Sequence, residues 1–439
     1  VDIFTIWDAF GQKRKHVFSE AGLLSLKDPR FNWIRQLQKR QLDRVKGMIR
    51  MNTLEWIRLS VFEEIHLPHD AEAEETKSLL DQIGRFETSQ LLNISQLKAH
   101  LRPYQEIGLH WLWFLYCHRL SGLLCDDMGL GKTHQAMALL AAISHEDGEK
   151  SKKYLVVCPT SVIYHWQDLL QKFLPEMRVC TYYGVARTLE HFETDSDILL
   201  TSYGILRTGK EDLRGLYFEL SIFDEIQIAK NQHSQTHAAL SQIDARMRLG
   251  LTGTPIENRI RELKSLFDII LPGYMPSDAV FRDMFVQPIE KAKDEKQREL
   301  LTKLVKPFIL RRKKSEVLLD LPEKMEMISY CDLSAEQKRL YKEVAMSMRD
   351  TVYKELQDEN KPVSYIHVFS ALSSLKRICD HPSLVEGHDP SQANQSGKWD
   401  LFVELLSEAR DSGQKVVIFS QYLEMLALIE KYLKKKGIG

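Results

Sequence analysis

The stretch GLLCDDMGLGKT, residues 122–133, decides the fold of this chain. Its apolar start at residues 122–125 predicts a strand, and helical periodicity begins near Lys132 and continues to about Ile143. Glycine lets backbone N–H groups turn toward an anion, and a helix N-terminus attracts negative charge, so strand, glycine loop and helix together suit phosphate. The stretch therefore predicts a phosphate-binding loop.

Two side chains at the end of this stretch have the chemistry that such a loop needs. Lys132 supplies a mobile cation for β- and γ-phosphates, and Thr133 supplies a hydroxyl for a bound magnesium ion. One position departs from the usual pattern, because Asp126 stands where a glycine is expected. The alternative is a tight strand–helix turn that binds nothing, and the GKT context favours the phosphate loop.

Composition excludes several classes of protein. The chain has 439 residues, 28% of them charged and 44% hydrophobic, which indicates a globular protein of two to four domains. The net charge of −1 gives no overall basic signal for nucleic acid. The six cysteines form no CxxC pair, which argues against a zinc knuckle or a disulfide framework and indicates a reducing, intracellular compartment. No long uncharged apolar run and no signal peptide are present, so we expect no membrane insertion.

Short apolar runs alternate with helical segments through the middle of the chain. The runs are residues 122–125, 154–158, 197–201, 220–223 and 248–252. Such alternation predicts an α/β fold, in which a parallel P-loop sheet is covered by helices on both faces. Ligands bind such sheets at the carboxyl ends of the strands, where the polar loops of this sequence lie.

The flanking regions have a different pattern. Residues 1–67 predict a mostly helical accessory region, residues 68–75 a linker, and the residues up to about Gln90 a further helix. After Asp268 the strand pattern stops and helical periodicity dominates, until a linker at 382–396 and a buried strand at 415–419. We therefore expect four parts: a helical accessory region at 1–90, a first α/β domain at 91–275, a helical insertion and linker at 276–398, and the start of a second α/β domain at 399–439.

A basic segment at residues 291–316 has two interpretations. It contains ten basic and four acidic residues. Such a cluster can form an electrostatic surface for phosphates of nucleic acid, or it can be a solvated helix face with a turn. The sequence alone leaves both open.

Two adjacent carboxylates follow the strand at 220–223. Asp224 and Glu225 come about a hundred residues after the phosphate loop, which fits a Walker B pair. Asp224 would hold magnesium directly or through water, and Glu225 would act as general base on the attacking water.

Two further segments complete the candidate site. The sequence LTGTPI at 251–256 follows another strand, and the hydroxyls of Thr252 and Thr254 can bridge the acidic pair to the neighbouring loop. Such a loop can sense a γ-phosphate, although a plain turn uses the same residues. Gln105 lies before the phosphate loop, and its amide can donate to and accept from an adenine edge.

These segments occur together in an order that resembles one family. The motifs DDMGLGKT, DEIQ (224–227), LTGTPIEN (251–258), LRPYQEIG (101–108) and VVCPTSVIYHWQ (156–167) are similar to those of the SWI/SNF-like ATPases, which have the RecA-like superfamily 2 helicase fold. The segments FILRRKKSEV (308–317), LPEK (321–324), LKRICDHPSL (375–384) and KVVIFSQY (415–422) also resemble that family. The resemblance is to bacterial-type members, and it covers roughly residues 97–436.

The resemblance implies residue roles as well as a fold. It implies contacts to ATP and its magnesium ion from Arg102, Gln105, Asp127, Met128, Gly129, Leu130, Gly131, Lys132 and Thr133, with Asp224 and Glu225 on metal and water. It implies coupling roles for Gln227, Thr252 and Thr254. It implies contacts to the DNA backbone from Pro159, Thr160, Ser161, Thr201, Ser202 and Tyr203. The family often has histidine where this chain has Gln227, which can still hydrogen-bond to the LTGT loop.

The activity implied by the resemblance is ATP hydrolysis that drives movement along double-stranded DNA and remodels a bound protein, in the cytoplasm or nucleoid, or in a nucleus. In that family a second lobe supplies arginines to the ATP site, and this sequence stops before those motifs. We therefore expect a fragment that binds ATP and hydrolyses it poorly. Two alternatives stay open: a nucleotide-binding interaction module without motor activity, and a strand-separating helicase of the same superfamily. DNA-stimulated turnover and fork unwinding discriminate them.

Overall fold

The computed structural model describes residues 2–19, 22–27, 31, 33–37, 39–62, 92–146, 152–184, 187–209, 212–213, 215–254, 259–318, 326–356, 365–385 and 396–438. Several predicted features lie outside these residues: the linker at 68–75, the helix that follows it, residues 255–258 of the LTGTPIEN segment, LPEK, and most of the linker at 382–396. The chain divides into two compact units, Val1–Leu321 and Pro322–Gly439. The four-part division made from the sequence stays a prediction.

The first sixty residues are not mostly helical, which corrects the prediction from the sequence. Their described residues contain two helices, α1 (Ile3–Gly11) and α2 (Thr53–Ser60). They also contain two antiparallel pairs of strands, β1 (His16–Ser19) with β2 (Gly22–Ser25) and β3 (Leu42–Asp43) with β4 (Met48–Ile49). The apolar spacing that suggested helices comes from short strands and 3₁₀ turns, whose few residues carry no clear period.

The rest of the first unit is built on a seven-stranded sheet. Its strands are β5 (Gly122–Leu124), β6 (Tyr154–Cys158), β7 (Val179–Thr181), β8 (Ile198–Ser202), β9 (Tyr217–Asp224), β10 (Asp244–Leu251) and β11 (Ile309–Leu310). Their order across the sheet is β11-β5-β10-β9-β6-β8-β7, and every pairing is parallel. All residues of β6 and β8 are buried, so helices and loops cover both faces of the sheet, as predicted.

Helices connect or follow these strands. They are α3 (Pro103–Cys117), α4 (Lys132–Glu146), α5 (Ile163–Phe173), α6 (Glu190–Asp195), α7 (Tyr203–Thr208), α8 (Gln235–Ser241), α9 (Ile260–Ile270), α10 (Asp278–Phe281), α11 (Glu295–Val305) and α12 (Lys314–Val317). A π-helix, Arg282–Lys291, contains Pro288 and joins α10 to the segment before α11. Pro288 lacks the N–H that a regular α-helix would use, which suits a wider turn.

Strand β11 corrects the expectation that the strand pattern stops after Asp268. Ile309 pairs with Leu123 and Leu310 with Leu124, so the sheet gains an edge strand 185 residues after β5. Two residues are too few to produce a periodic signal in the sequence. The basic segment that contains β11 is therefore joined to the sheet.

The second unit is helical in its described residues. Its helices are α13 (Ala335–Leu356), α14 (Tyr365–Asp380), α15 (Gly397–Asp411) and α16 (Leu423–Lys436). The Gln337 side chain is fully buried and donates to the carbonyl of Ile378 at 2.7 Å, and its Oε1 accepts from the N–H of Gly397 at 3.1 Å. This one amide joins the starts of α13 and α15 to the end of α14.

The predicted buried strand at residues 415–419 is absent, which is a third correction. These residues have no strand pairing, and Val417 and Phe419 are 76% and 90% exposed. A strand needs a hydrogen-bonded neighbour, and the described residues of this unit contain no other strand that could pair with it.

No helix in the described ranges combines the length and the apolarity needed to cross a bilayer.

Candidate nucleotide-binding site

Three strands of the sheet end at the same level. Leu251 of β10 pairs with Leu124 of β5 on one side and with Asp224 of β9 on the other. The loops that follow these strands therefore begin side by side at the carboxyl edge of the sheet. These are the phosphate loop, the acidic pair and the LTGT segment, which the sequence predicted to act together.

The phosphate loop has the backbone shape that requires glycine. Gly129 and Gly131 have φ angles of +86° and +74°, which side chains rarely permit. A Cβ on Gly131 would lie 2.4 Å from Nε2 of Gln105, so a larger residue would not fit. Helix α4 starts at Lys132, whose ammonium donates to the carbonyl of Asp126 at 2.8 Å. The ammonium is thus folded back over its own loop.

Asp126, at the position where the usual pattern has glycine, forms a buried ion pair. Its carboxylate is fully buried and is bound by the guanidinium of Arg312, with Nε at 2.9 Å from Oδ1. The backbone N–H of Arg312 and Nε2 of Gln135 also donate to it, each at 3.1 Å. A buried carboxylate is tolerated when its oxygens are satisfied in this way. The departure therefore gives the phosphate loop a tie to the segment after β11.

Asp224 lies at the end of β9 with both carboxylate oxygens hydrogen-bonded. Trp166 Nε1 donates to Oδ2 at 2.8 Å, and the N–H of Glu225 donates to Oδ1 at 3.1 Å. Burial raises the pKa of Asp224, and the Trp166 hydrogen bond and the charge of Lys132 oppose that rise. The group is therefore a carboxylate whose negative charge is only partly compensated by the protein.

Glu225 has a left-handed backbone conformation, with φ of +51° and ψ of +48°. A residue other than glycine reaches this region only at some cost in energy, and functional sites commonly contain such residues. Its Oε2 accepts from Nε2 of Gln227 at 2.6 Å. Within the described residues Oε1 of Gln227 is buried without a hydrogen-bond partner, so this amide has an acceptor left for a further group.

The LTGT segment faces the phosphate loop. The N–H of Thr252 donates to the carbonyl of Leu124 at 3.1 Å, and the Thr252 hydroxyl accepts from the N–H of Thr254 at 3.0 Å. A Cβ on Gly253 would lie 3.0 Å from Cγ of Met128 and 3.8 Å from Nζ of Lys132. The predicted coupling residues Thr252 and Thr254 are therefore placed beside the loop. Their role in coupling stays a prediction.

Helix α3 is also tied to the phosphate loop. Gln105 Nε2 and the hydroxyl of Tyr104 both donate to the carbonyl of Leu130, at 3.0 and 3.1 Å. Gln105 Oε1 accepts from the N–H of Arg102 at 2.9 Å. The Gln105 amide thus holds the loop and the start of α3 together. Contact of Gln105 and Arg102 with adenine stays a prediction.

The residues predicted to contact DNA divide into two groups. Thr160 and Ser161 are exposed in a 3₁₀ turn that follows Pro159 and β6. Thr201 and Ser202 are buried, and their hydroxyls bond within the unit, to the carbonyl of Tyr182 and to the N–H of Ile205.

Tyr203 is buried as well. Its hydroxyl donates to the carbonyl of Asp224 at 2.6 Å, and burial raises its pKa well above the ordinary value. The hydroxyls of residues 201–203 are therefore occupied inside the protein. A DNA contact of these residues stays a prediction, and it would need groups other than those hydroxyls.

Four residues of the site were not singled out from the sequence. Gln135 and Arg312 both contact Asp126. Trp166 contacts Asp224, and Lys314 contacts Asp127. Trp166 lies in the VVCPTSVIYHWQ motif, and Arg312 and Lys314 lie in FILRRKKSEV. The motifs therefore identified the segments that form the site, but they did not predict which side chains contact each other. Part of the basic segment thus serves the phosphate loop, whereas Arg311 and Lys313 are exposed.

Comparisons with known proteins agree with this geometry. A family model described as the SNF2-related domain matches residues 104–384. YwqA of Bacillus subtilis is 37% identical over 347 residues, which cover 77% of this chain and 37% of YwqA. The TATA-binding protein-associated factor MOT1 of Saccharomyces cerevisiae is 37% identical over 313 residues, which cover 66% of this chain and 17% of MOT1. The chain thus spans little more than a third of the first relative and less of the second.

A solved structure is similar in fold. It is titled as the Sulfolobus solfataricus SWI2/SNF2 ATPase core in complex with dsDNA, and it matches with a TM-score of 0.50 and 33% sequence identity. The match covers 79% of this chain and 72% of that one. The α/β fold with a parallel sheet, predicted from the alternating strands, and its RecA-like form, implied by the resemblance, are both confirmed.

Proposed function

Since the chain belongs to the family of proteins that contain the SNF2-related domain, we propose that its first unit binds and hydrolyses ATP and that duplex DNA stimulates the hydrolysis. The observation that carries the proposal is the alignment of Leu124, Leu251 and Asp224 in one row of the sheet. This row brings a phosphate loop, an acidic pair and a hydroxyl-bearing loop to a single edge. Each of these has a chemical role in phosphoryl transfer.

The groups at this edge fit a nucleotide with its magnesium ion. Gly129 and Gly131 have no Cβ and a left-handed backbone, which lets the N–H groups of the loop turn toward anionic oxygens, and Lys132 has its ammonium at the loop. The hydroxyl of Thr133 and the carboxylate of Asp224 are oxygen ligands of the kind that magnesium prefers. A bound magnesium ion neutralises charge that develops on the phosphates.

Residues of the chain then take distinct parts in the reaction. Glu225 lies next to Asp224 at the end of β9, and its backbone is left-handed. We assign it to orient the attacking water and to accept its proton. Gln227 holds the carboxylate of Glu225 and keeps one amide oxygen for the LTGT segment. Contact with the γ-phosphate can thereby change the position of the base.

The proposed track is double-stranded DNA. The proposal draws on the fold shared with the Sulfolobus solfataricus core, which was solved with dsDNA, and on the exposed Thr160 and Ser161 at the same edge of the sheet. Hydroxyls and backbone N–H groups contact phosphates without reading sequence. Repeated cycles of binding and hydrolysis would move the protein along the duplex and displace a bound protein. Weak hydrolysis by this stretch of chain alone stays a prediction.

Nucleotide binding and turnover test the site in two steps. Lys132→Ala removes the cation of the loop, so we expect the affinity for ATP to fall about ten- to a hundredfold, because a hydrogen bond to a charged group contributes roughly 1.5–3 kcal/mol. Lys172→Ala, on an exposed position of α5, is the matched control. The affinity is measured by titration with a fluorescent ATP analogue. Equal affinity in the two variants would remove Lys132 from the site.

Glu225→Gln separates binding from chemistry. We expect it to bind ATP as the parent does and to lower turnover by about 10²–10⁴-fold, which is the usual contribution of a general base. Exposed Glu176→Gln is the control, and phosphate release is measured with and without duplex DNA. Normal turnover in Glu225→Gln would exclude it as the base. If duplex DNA does not change the turnover of the parent, the proposal that the protein moves along DNA is wrong, whereas the assignment of the phosphate site is unaffected.

A further inference from the structure

The segment after β11 runs beside the phosphate loop, and hydrogen bonds fix it there. The N–H of Cys125 donates to the carbonyl of Leu310 at 2.7 Å, and the N–H of Asp127 donates to the carbonyl of Arg312 at 3.0 Å. The N–H of Lys314 donates to Oδ2 of Asp127 at 3.1 Å. Residues 310–314 therefore follow residues 124–127 in register, and the position of Lys314 is set by its backbone.

The side chain of Lys314 lies over the glycine of the loop. Its Cε and Nζ are both 3.4 Å from the point that a Cβ on Gly129 would occupy. Lys314 is exposed, and within the part of the chain that the structure describes no carboxylate forms an ion pair with its ammonium group. Arg312, two residues earlier, is by contrast fully engaged with Asp126.

The two basic residues thus have separate functions. Arg312 neutralises the buried carboxylate of Asp126, and its guanidinium is therefore occupied within the protein. Lys314 has its ammonium group beside Gly129, without a carboxylate partner among the residues that the structure describes, where anionic oxygens would approach the loop. A polyphosphate carries several negative charges, and charge-assisted hydrogen bonds from more than one cation are the strong way to bind it.

We propose that Lys314 is a second phosphate-binding cation of this site, which contacts the polyphosphate of a bound nucleoside di- or triphosphate together with Lys132. This inference rests on the proposed nucleotide site and adds a residue from outside the phosphate loop. It predicts that the site selects polyphosphates over monophosphates partly through Lys314. Residues 310–314 of the basic segment are then part of the nucleotide site and not only a surface for DNA.

The test compares Lys314→Gln with Lys313→Gln, its exposed neighbour, and with Lys314→Arg, which keeps the charge. Affinities for fluorescent ATP, ADP and AMP analogues and for a fluorescent DNA duplex are measured by anisotropy at about 0.05 M and about 0.5 M salt, because salt screens exposed charges. We expect Lys314→Gln to lower the affinity for ATP about three- to tenfold at low salt and less at high salt, as one exposed charge pair allows. Lys314→Arg and Lys313→Gln should stay close to the parent.

The outcomes separate this inference from the proposed function. If Lys314→Gln binds ATP as tightly as Lys313→Gln does, or loses AMP and ATP affinity by the same factor, the inference is wrong while the nucleotide site stands. If only the affinity for duplex DNA changes, Lys314 belongs to a DNA surface and the inference is again wrong. If Lys132→Ala also binds ATP like the parent, the phosphate loop itself is misassigned and both proposals fail.

Discussion

At the scale of single residues, the buried carboxylate of Asp224 lowers the stability of the folded protein at neutral pH. Burial raises its pKa, and hydrogen bonding to Trp166 only partly opposes this. A carboxyl group whose pKa is raised in the folded state is harder to ionise there than in the unfolded chain. Below the unfolded pKa of about 3.9 both states are protonated and the group has no effect. As the pH rises through the raised pKa, the free energy of unfolding falls, and it remains lower at neutral pH.

Asp224→Asn should therefore stabilise the nucleotide-free protein at pH 7, by about 0.5–2 kcal/mol, while it abolishes magnesium-dependent hydrolysis. The gain should shrink as the pH is lowered toward 4, because the parent carboxyl group then becomes neutral in the folded state. Thermal unfolding at several pH values measures it. The exposed Asp168→Asn on α5 is the control and should leave stability unchanged. A gain that does not depend on pH would contradict this account.

At the scale of elements, the edge strand β11 and the loop after β5 act as one structural piece. The two lie next to each other in the sheet, and the Asp126–Arg312 ion pair joins the loops that follow them. Gln135 of α4 bonds to both members of the pair, through Nε2 to Asp126 and through Oε1 from Arg312 at 2.7 Å. A nucleotide loop, the following helix and a distant strand are thus fixed by one buried charge network.

A double-mutant cycle tests this network. Arg312→Met leaves the carboxylate of Asp126 buried without its cation, so we expect a loss of about 3–5 kcal/mol in the free energy of unfolding. Arg312→Met combined with Asp126→Asn should recover much of that loss, because no buried charge remains. Denaturant unfolding of both variants measures the coupling. The exposed Arg311→Met should change stability by less than about 0.5 kcal/mol, and an equal effect of the two arginine variants would show that the pair is not structural.

The accuracy with which the sequence predicted each strand depends on the length of its apolar run. Strand β6 was predicted with its observed bounds, because a run of five apolar residues is typical of a strand that is covered on both faces. Strands β7 and β11 were missed because runs of three and two residues have no period. The partner of Asp126 could not be deduced either, since Arg312 follows it by 186 residues and many arginines compete in the sequence. The local sequence pattern predicted the loops that follow the strands, whereas the contacts between distant loops are known only from the fold.

At the scale of the whole molecule, the apolar segment at 415–419 departs from the burial of apolar runs, as the exposed Met327, Ile328 and Tyr330 also do. Val417 and Phe419 are 76% and 90% exposed, and Leu423 nearby is 80% exposed. Contiguous exposed β-branched and aromatic residues pair readily with other chains. The described part of the second unit therefore has an aggregation-prone segment that its own helices do not cover.

Val417→Lys should reduce self-association of the 439-residue chain, with the rate of light-scattering increase on warming falling at least about twofold, because a charge interrupts an aggregation-prone strand. Val45→Lys is the matched control, since Val45 is 97% exposed in the first unit but stands alone. A similar fall in both variants would mean that net charge, and not this segment, governs association.

The parallel pairing of β5 with β10 also has a consequence for how the protein is made. Leu249 of β10 pairs with Gly122 of β5, 127 residues earlier, and β11 joins only 60 residues after that. Synthesis at about 5–20 residues per second would leave β5 without this neighbour for roughly 6 to 25 s. During that time a ribosome-bound chain exposes the apolar β5 and α4, which are the substrates that chaperones recognise. The edge that holds the phosphate loop is thus among the last parts of the unit to be completed, and a nucleotide can stabilise the chain only after folding across this long separation.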